Sequence, residues 1–171
     1  MRALHVKHGV AHVVVSSIPL NAALRAAVPF PPDTFDDEED ALLVVCSSHS
    51  AETVASGKES IVTAFRIPRI SGYFSGTGDL FSALVLAHFD PATGLAEATS
   101  LAAGTVHAIL RDTLAHSTDT VDGTDSDRDA ADVDRVVRRM RARELRLVQN
   151  AGLISGKSAR AVGYSWSGLW E

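Results

Sequence analysis

Residues 76 to 79, "GTGD", set two glycines around Thr77, place an acid behind them, and lead into an apolar pattern at Leu80, Phe81, Leu84, Val85 and Phe89. That spacing is helical, so the acid falls in the first turn of a helix of roughly three turns. A helix start presents backbone N–H groups that lack helical partners, and the helix dipole adds about half a positive charge there. Glycines at 76 and 78 clear the approach and permit backbone angles that aim successive amides at one point, as a phosphate requires. Thr77 adds a hydroxyl donor. A carboxylate beside a bound phosphate is repelled unless it activates the group that the phosphate is reaching. Asp79 therefore suits a base that takes the proton of an alcohol during phosphoryl transfer, a service typically worth ~10²- to 10⁴-fold in rate. The same four residues also suit a plain capped helix, since acids in the first turn complement the dipole. They form neither a Walker phosphate loop, which needs a lysine after the glycines, nor a three-glycine dinucleotide turn.

The elements that would hold this turn follow from the flanking pattern. "RALHVKHG" at 2 to 9 reads as the end of a helix closed by Gly9, and "AHVVVSS" at 11 to 17 as a β-branched strand. Residues 18 to 40 carry four prolines and end in the acidic run "DDEED", which predicts a surface loop. "ALLVVCSS" at 41 to 48 and "ESIVTAFRIP" at 59 to 68 predict a hairpin with a long connection. An Ala-rich helix is expected from near Leu95, its small residues suited to close packing. A loop follows at about 118 to 130, then a helix over about Ala130 to Met140. "RELRLVQN" at 143 to 150 predicts a short terminal strand, and the tail after Gly152 has little pattern. Strands alternating with helices indicate an α/β layered fold, which the antiparallel hairpin makes a mixed sheet.

Composition narrows the function classes. At 171 residues with 46% hydrophobic content and a mean hydropathy of +0.09, the chain suits one soluble globular domain. A net charge of -5 and a pI near 5.8 argue against a general nucleic-acid binder. The arginine-rich "RVVRRMRARELR" at 135 to 146 is the exception, and it reads as a solvated helix face answering the acidic loop before it. No apolar run is long enough for a bilayer and no signal-peptide core is present, so a cytosolic protein is expected. Cys46 is the single cysteine and sits in a strand-like run, where it reads as a small buried hydrophobe. The seven histidines show no zinc-protease spacing, "DDEED" reads as a solvated run rather than a cation site, and no Gly-x-Ser-x-Gly elbow is present.

"HVVVSSIPL" at 12 to 20, "ALLVVCSS" at 41 to 48, "FRIPRISGYFSGTGDLFSALVLA" at 65 to 87 and "RELRLVQN" come in the order and spacing of the C-terminal half of pyridoxal kinases. "GTGDLFSAL" is shared with the wider ribokinase-like superfamily, whereas "ELRLVQ" with "SSIPL" resembles pyridoxal kinases in particular. The resemblance implies a three-layer α/β/α ribokinase-like fold, here partial, with residues 1 to 171 as the C-terminal nucleotide-binding part. It implies ATP-dependent phosphorylation of the 5'-hydroxymethyl group of pyridoxal, pyridoxine or pyridoxamine. Asp79 would be the base; the amides of Gly76, Thr77 and Gly78 would form the anion hole, with Gly76 also facing the substrate's 5' oxygen. Ser16 and Ser17 at a strand end, then Ile70, Ser71 and Gly72, would contact the nucleotide, while Phe81 and Leu84 read as helix core. The family uses magnesium, usually a monovalent cation, and forms homodimers; no metal-binding residue is assigned here. The family's N-terminal half, with the pyridoxal pocket and lid, has no counterpart in these residues, so weak or no turnover by the chain alone is expected. Another ribokinase-like kinase, for a sugar, nucleoside or pyrimidine, and a non-catalytic remnant that binds nucleotide or pairs with a full-length kinase as an interaction module are the alternatives.

Overall fold

The structure is a computed structural model that describes residues 1–28, 30, 40–49, 61–117, 130, 132–156 and 159–167. Four strands form one sheet in the order β1 (His12–Pro19), β2 (Ala41–Ser48), β3 (Ile61–Pro68) and β4 (Gly163–Ser167). The expected hairpin is present, with Leu43 opposite Arg66 and Cys46 opposite Thr63. All three neighbouring pairs run antiparallel, so among the described strands the sheet is antiparallel rather than mixed. The physical reason lies in the returns: each segment joining sheet neighbours brings the chain back with its direction reversed, including the long excursion between β3 and β4.

Side-chain alternation sorts the strands into two faces. Val14, Val44, Cys46, Phe65 and Ile67 point to one, where Leu95, Ala103, Phe81 and Val85 pack on them. These come from α3 (Thr77–His88) and α4 (Gly94–His116), which begins one residue before the expected Leu95. Leu43, Val45 and Ala64 point to the other face, against Leu24, Val28 and Phe30. That side also carries α1 (Arg2–His8), whose buried His5 contacts the Ser47 hydroxyl through Nε2 at 3.1 Å. Helices on both faces make three layers. Ala98 and Ala102 of α4 are fully buried, as its small residues predicted. Cys46 is 2% exposed and burial pushes its thiol pKa up against the opposing hydrogen bonds to Thr99 and Thr63, as a structural cysteine would have it.

Three local expectations are corrected. A helix, α2 (Ala22–Ala27), lies inside the expected proline-rich loop; Asn21 caps it by accepting from the Leu24 N–H at 2.9 Å. "RELRLVQN" is not a strand but a turn that leads into α6 (Ala151–Ser155), after α5 (Val133–Ala142). Polar bonds hold it: Arg146 Nε and Asn150 Nδ2 both donate to Asp112 of α4, at 2.9 and 2.8 Å. The terminal strand comes instead from the tail, where Gly163 lets β4 lie over the Phe65 ring; an added Cβ would sit 2.4 Å from that ring. Residues 31 to 39 and 118 to 129, and with them most of "DDEED" and of the expected second loop, lie outside the described residues.

Candidate active site

Gly76 is the N-cap of α3, with φ at 79°, a left-handed conformation that glycine adopts without penalty. An added Cβ at Gly76 or Gly78 would meet nothing within 4 Å. The glycine at 76 thus answers a backbone angle, while Gly78 keeps clear an open space above the helix start. The Thr77 hydroxyl donates to the Phe74 carbonyl at 3.2 Å and closes the turn from below. Asp79 stands exposed in the first turn of α3, and among the described residues its carboxylate has no hydrogen bond or ion pair.

The opposite wall is a distortion of β1. The register slips between Val15 and Ile18, where Ser16 and Ser17 stand opposite Val44 alone, and Ser17 takes φ of 59°. Such a bulge at a strand end re-aims side chains out of the regular ladder. Ser16, Ser17, Ile70, Thr77 and Gly78 line one cavity of about 180 Å³, together with Phe81 of α3 and His107 of α4. Its remaining lining is mostly apolar, from Leu42, Val44, Ile67, Pro68, Val106 and Leu110 among others. A flat apolar body with a polar, amide-rich end is the ligand class that such a lining suits.

Of the residues singled out in the sequence, Gly76 and Asp79 sit at the start of α3 but do not line this cavity, and neither do Ser71 and Gly72. Gly72, with φ of 121°, lies instead against the guanidinium of Arg143. Sequence reasoning missed His107, Val106 and Leu110, which share one stretch of α4 with Ala103; their i, i+3, i+4 spacing reads as core. Phe81 serves both the core and the cavity. Leu84 is core, 3% exposed.

The lining fits a nucleotide: apolar walls for a base, hydroxyls and helix-start amides for phosphates. A metal is different. Among the described residues no three His, Cys, Asp or Glu side chains gather to hold an ion. Nor is any described helix long and apolar enough to cross a membrane.

No protein-family model matches the chain, and no curated protein matches it. Solved structures do. The pyridoxal kinase of Leishmania donovani in complex with ADP and pyridoxamine superposes with a TM-score of 0.59 at 19% identity, over 94% of this chain and 41% of that one. Plasmodium falciparum PdxK with AMP-PNP and PL gives 0.57 at 17% identity, over 96% and 41%. The pyridoxal kinase of Trypanosoma brucei gives 0.53 at 18%, over 93% and 40%. The chain therefore spans about two fifths of the length of each kinase that it matches. What these superpositions show is fold: the chain has the layered α/β architecture of part of a pyridoxal kinase.

Proposed function

We propose that this chain is the nucleotide-binding, base-carrying part of a pyridoxal kinase, working on ATP and the 5'-hydroxymethyl group of pyridoxal-type acceptors. One observation supports this most: serines from a bulge in β1 and the glycine turn of α3, 60 residues apart in sequence, share one cavity beside an exposed carboxylate. That the Leishmania donovani and Plasmodium falciparum neighbours were solved with ADP and AMP-PNP supports the nucleotide half of the reading.

On this reading the apolar walls hold the base, and Ser16 and Ser17 contact the nucleotide. The amides of Gly76, Thr77 and Gly78 with the α3 dipole stabilise negative charge as it develops on the transferring group. Asp79 accepts the proton that the acceptor hydroxyl gives up, and with no ion pair among the described residues its lone pairs face that hydroxyl unopposed. Ile70, Ser71 and Gly72 shape the approach to the turn. Magnesium and a monovalent cation belong to the family resemblance, but no step here is assigned to them, because the described residues gather no cation ligands. Homodimerisation in the cytoplasm belongs to the same proposal.

The test is calorimetric titration of the purified chain with AMP-PNP, followed by an assay of pyridoxal 5'-phosphate formation from pyridoxal and magnesium ATP, with Asp79→Asn alongside. AMP-PNP binding is expected in both proteins within about three-fold, since the base is not a nucleotide contact. Turnover by the chain alone is expected to be slow or nil, and any that occurs falls by ~10²- to 10⁴-fold in the variant. Absence of nucleotide binding, or measurable turnover that Asp79→Asn leaves unchanged, overturns the proposal. The exposure of Asp79 favours one second reading, a nucleotide-binding remnant without turnover; tight binding with no transfer to any alcohol is its signature.

A further inference from the structure

A second cavity, of about 170 Å³, lies where α5 meets the turn ahead of the glycine loop, and is lined by Tyr73, Val136, Arg139, Met140 and Arg143. Arg139 and Arg143 are one helical turn apart and so project onto one side of the end of α5. Arg143 is only 2% exposed, and a Cβ added at Gly72, the residue before Tyr73, would meet its guanidinium at 3.4 Å. The Nε atoms of both arginines are shielded from water. Both side chains also engage other groups of the chain, so what matters is the face each turns to the cavity.

None of the five lining residues is acidic. Two arginines and a tyrosine among the residues lining one small, partly apolar enclosure offer planar donor forks and a hydroxyl, groups suited to oxyanions. Shielding from solvent strengthens the attraction.

We propose that this cavity is an oxyanion site that takes a phosphate group, separate from the cavity at the start of α3. Through Gly72 and Tyr73 its occupancy would brace the segment that runs from Ile70 to the glycine turn. The proposal does not depend on the chain being a kinase.

Inorganic phosphate is the probe, titrated by calorimetry at low ionic strength into the full chain, with chloride at matched ionic strength as control. Arg139 is half-buried, and Arg139→Gln is expected to keep the fold by circular dichroism while weakening phosphate at least ten-fold. Tyr73→Phe is expected to weaken it two- to five-fold, and Lys7→Gln, on α1 and in neither cavity, to leave it unchanged. Unaltered phosphate binding in Arg139→Gln, its loss in Lys7→Gln, or no binding at all by the native chain overturns the site. Repeating the titration with saturating AMP-PNP separates two sources of the phosphate. Continued binding identifies a free oxyanion, and displacement identifies a phosphate of the bound nucleotide as the group these arginines hold.

Discussion

Ser17 holds a left-handed backbone conformation, φ 59°, in a strand, and it is the only described residue other than glycine with positive φ. For an L-residue that conformation costs roughly 1 to 2 kcal/mol, a strain of the kind concentrated at functional positions. Its hydroxyl is what a glycine would lack. Ser17→Gly is therefore expected to raise stability by about 1 kcal/mol, read from the urea midpoint. Affinity for AMP-PNP should fall two- to ten-fold, as loss of one hydrogen bond of about 0.5 to 1.5 kcal/mol implies. A variant that is stabilised but binds nucleotide unchanged removes Ser17 from the proposed contacts.

At the scale of elements, the crossing of the C-terminal segment over α4 decides how β4 reaches the sheet. Ser100 Oγ donates to the Ala161 carbonyl at 2.6 Å, and the Ala161 N–H donates to the Ser100 carbonyl at 3.0 Å. One turn on, a Cβ at Gly104 would lie 2.7 Å from the main chain of Ala159 and Arg160. Gly104→Ala brings two opposed effects. Helix propensity favours alanine by about 1 kcal/mol, while forcing main chain apart costs about 1 to 3 kcal/mol. Because the obstacle is backbone rather than the end of a flexible side chain, the clash prevails. A net loss of about 1 to 2 kcal/mol is expected by urea unfolding, and unchanged or higher stability would mean that the crossing is looser than this geometry.

Across the whole molecule, Asp112 ties α4 to the turn that contains "ELRLVQ", through residues 34 and 38 positions away. Hydrogen bonds from Asn150 and then Arg146 hold its carboxyl below the usual aspartate value, with help from the charges of His116 and Arg146. A depressed folded-state pKa contributes stability that is complete above the unfolded value, about 3.9, and is lost as pH falls through the lower folded value. Asp112→Asn is therefore expected to destabilise at neutral pH and to narrow the gap from the native chain on acidification below about pH 4. Thermal midpoints at neutral and strongly acidic pH read this directly. A constant gap across that range would remove Asp112 from the acid response. Asp132, held low by Arg138, titrates with the same sign and persists in the variant as an internal comparison.

Local periodicity and turn chemistry carried much of this architecture in the sequence by itself. Apolar, β-branched runs marked β1, β2 and β3, helical spacing marked α3 and α4, and the glycines marked the start of α3, because each signal is written within a few residues. Two local signals were overridden or hidden: prolines at 19, 29, 31 and 32 masked Asn21 and the short α2, and apolar Leu145, Leu147 and Val148 imitated a strand. Where strands pair and which turns meet was decided only by tertiary structure. Val162, Tyr164 and Trp166 have too short a pattern to announce β4, whose place depends on Gly104 and Gly163 allowing close approach. Likewise the cavity that joins Ser16, Ser17, Ile70, Thr77, Gly78 and His107 exists only once the sheet and α4 have packed, since burial of apolar faces, not spacing along the chain, sets those distances.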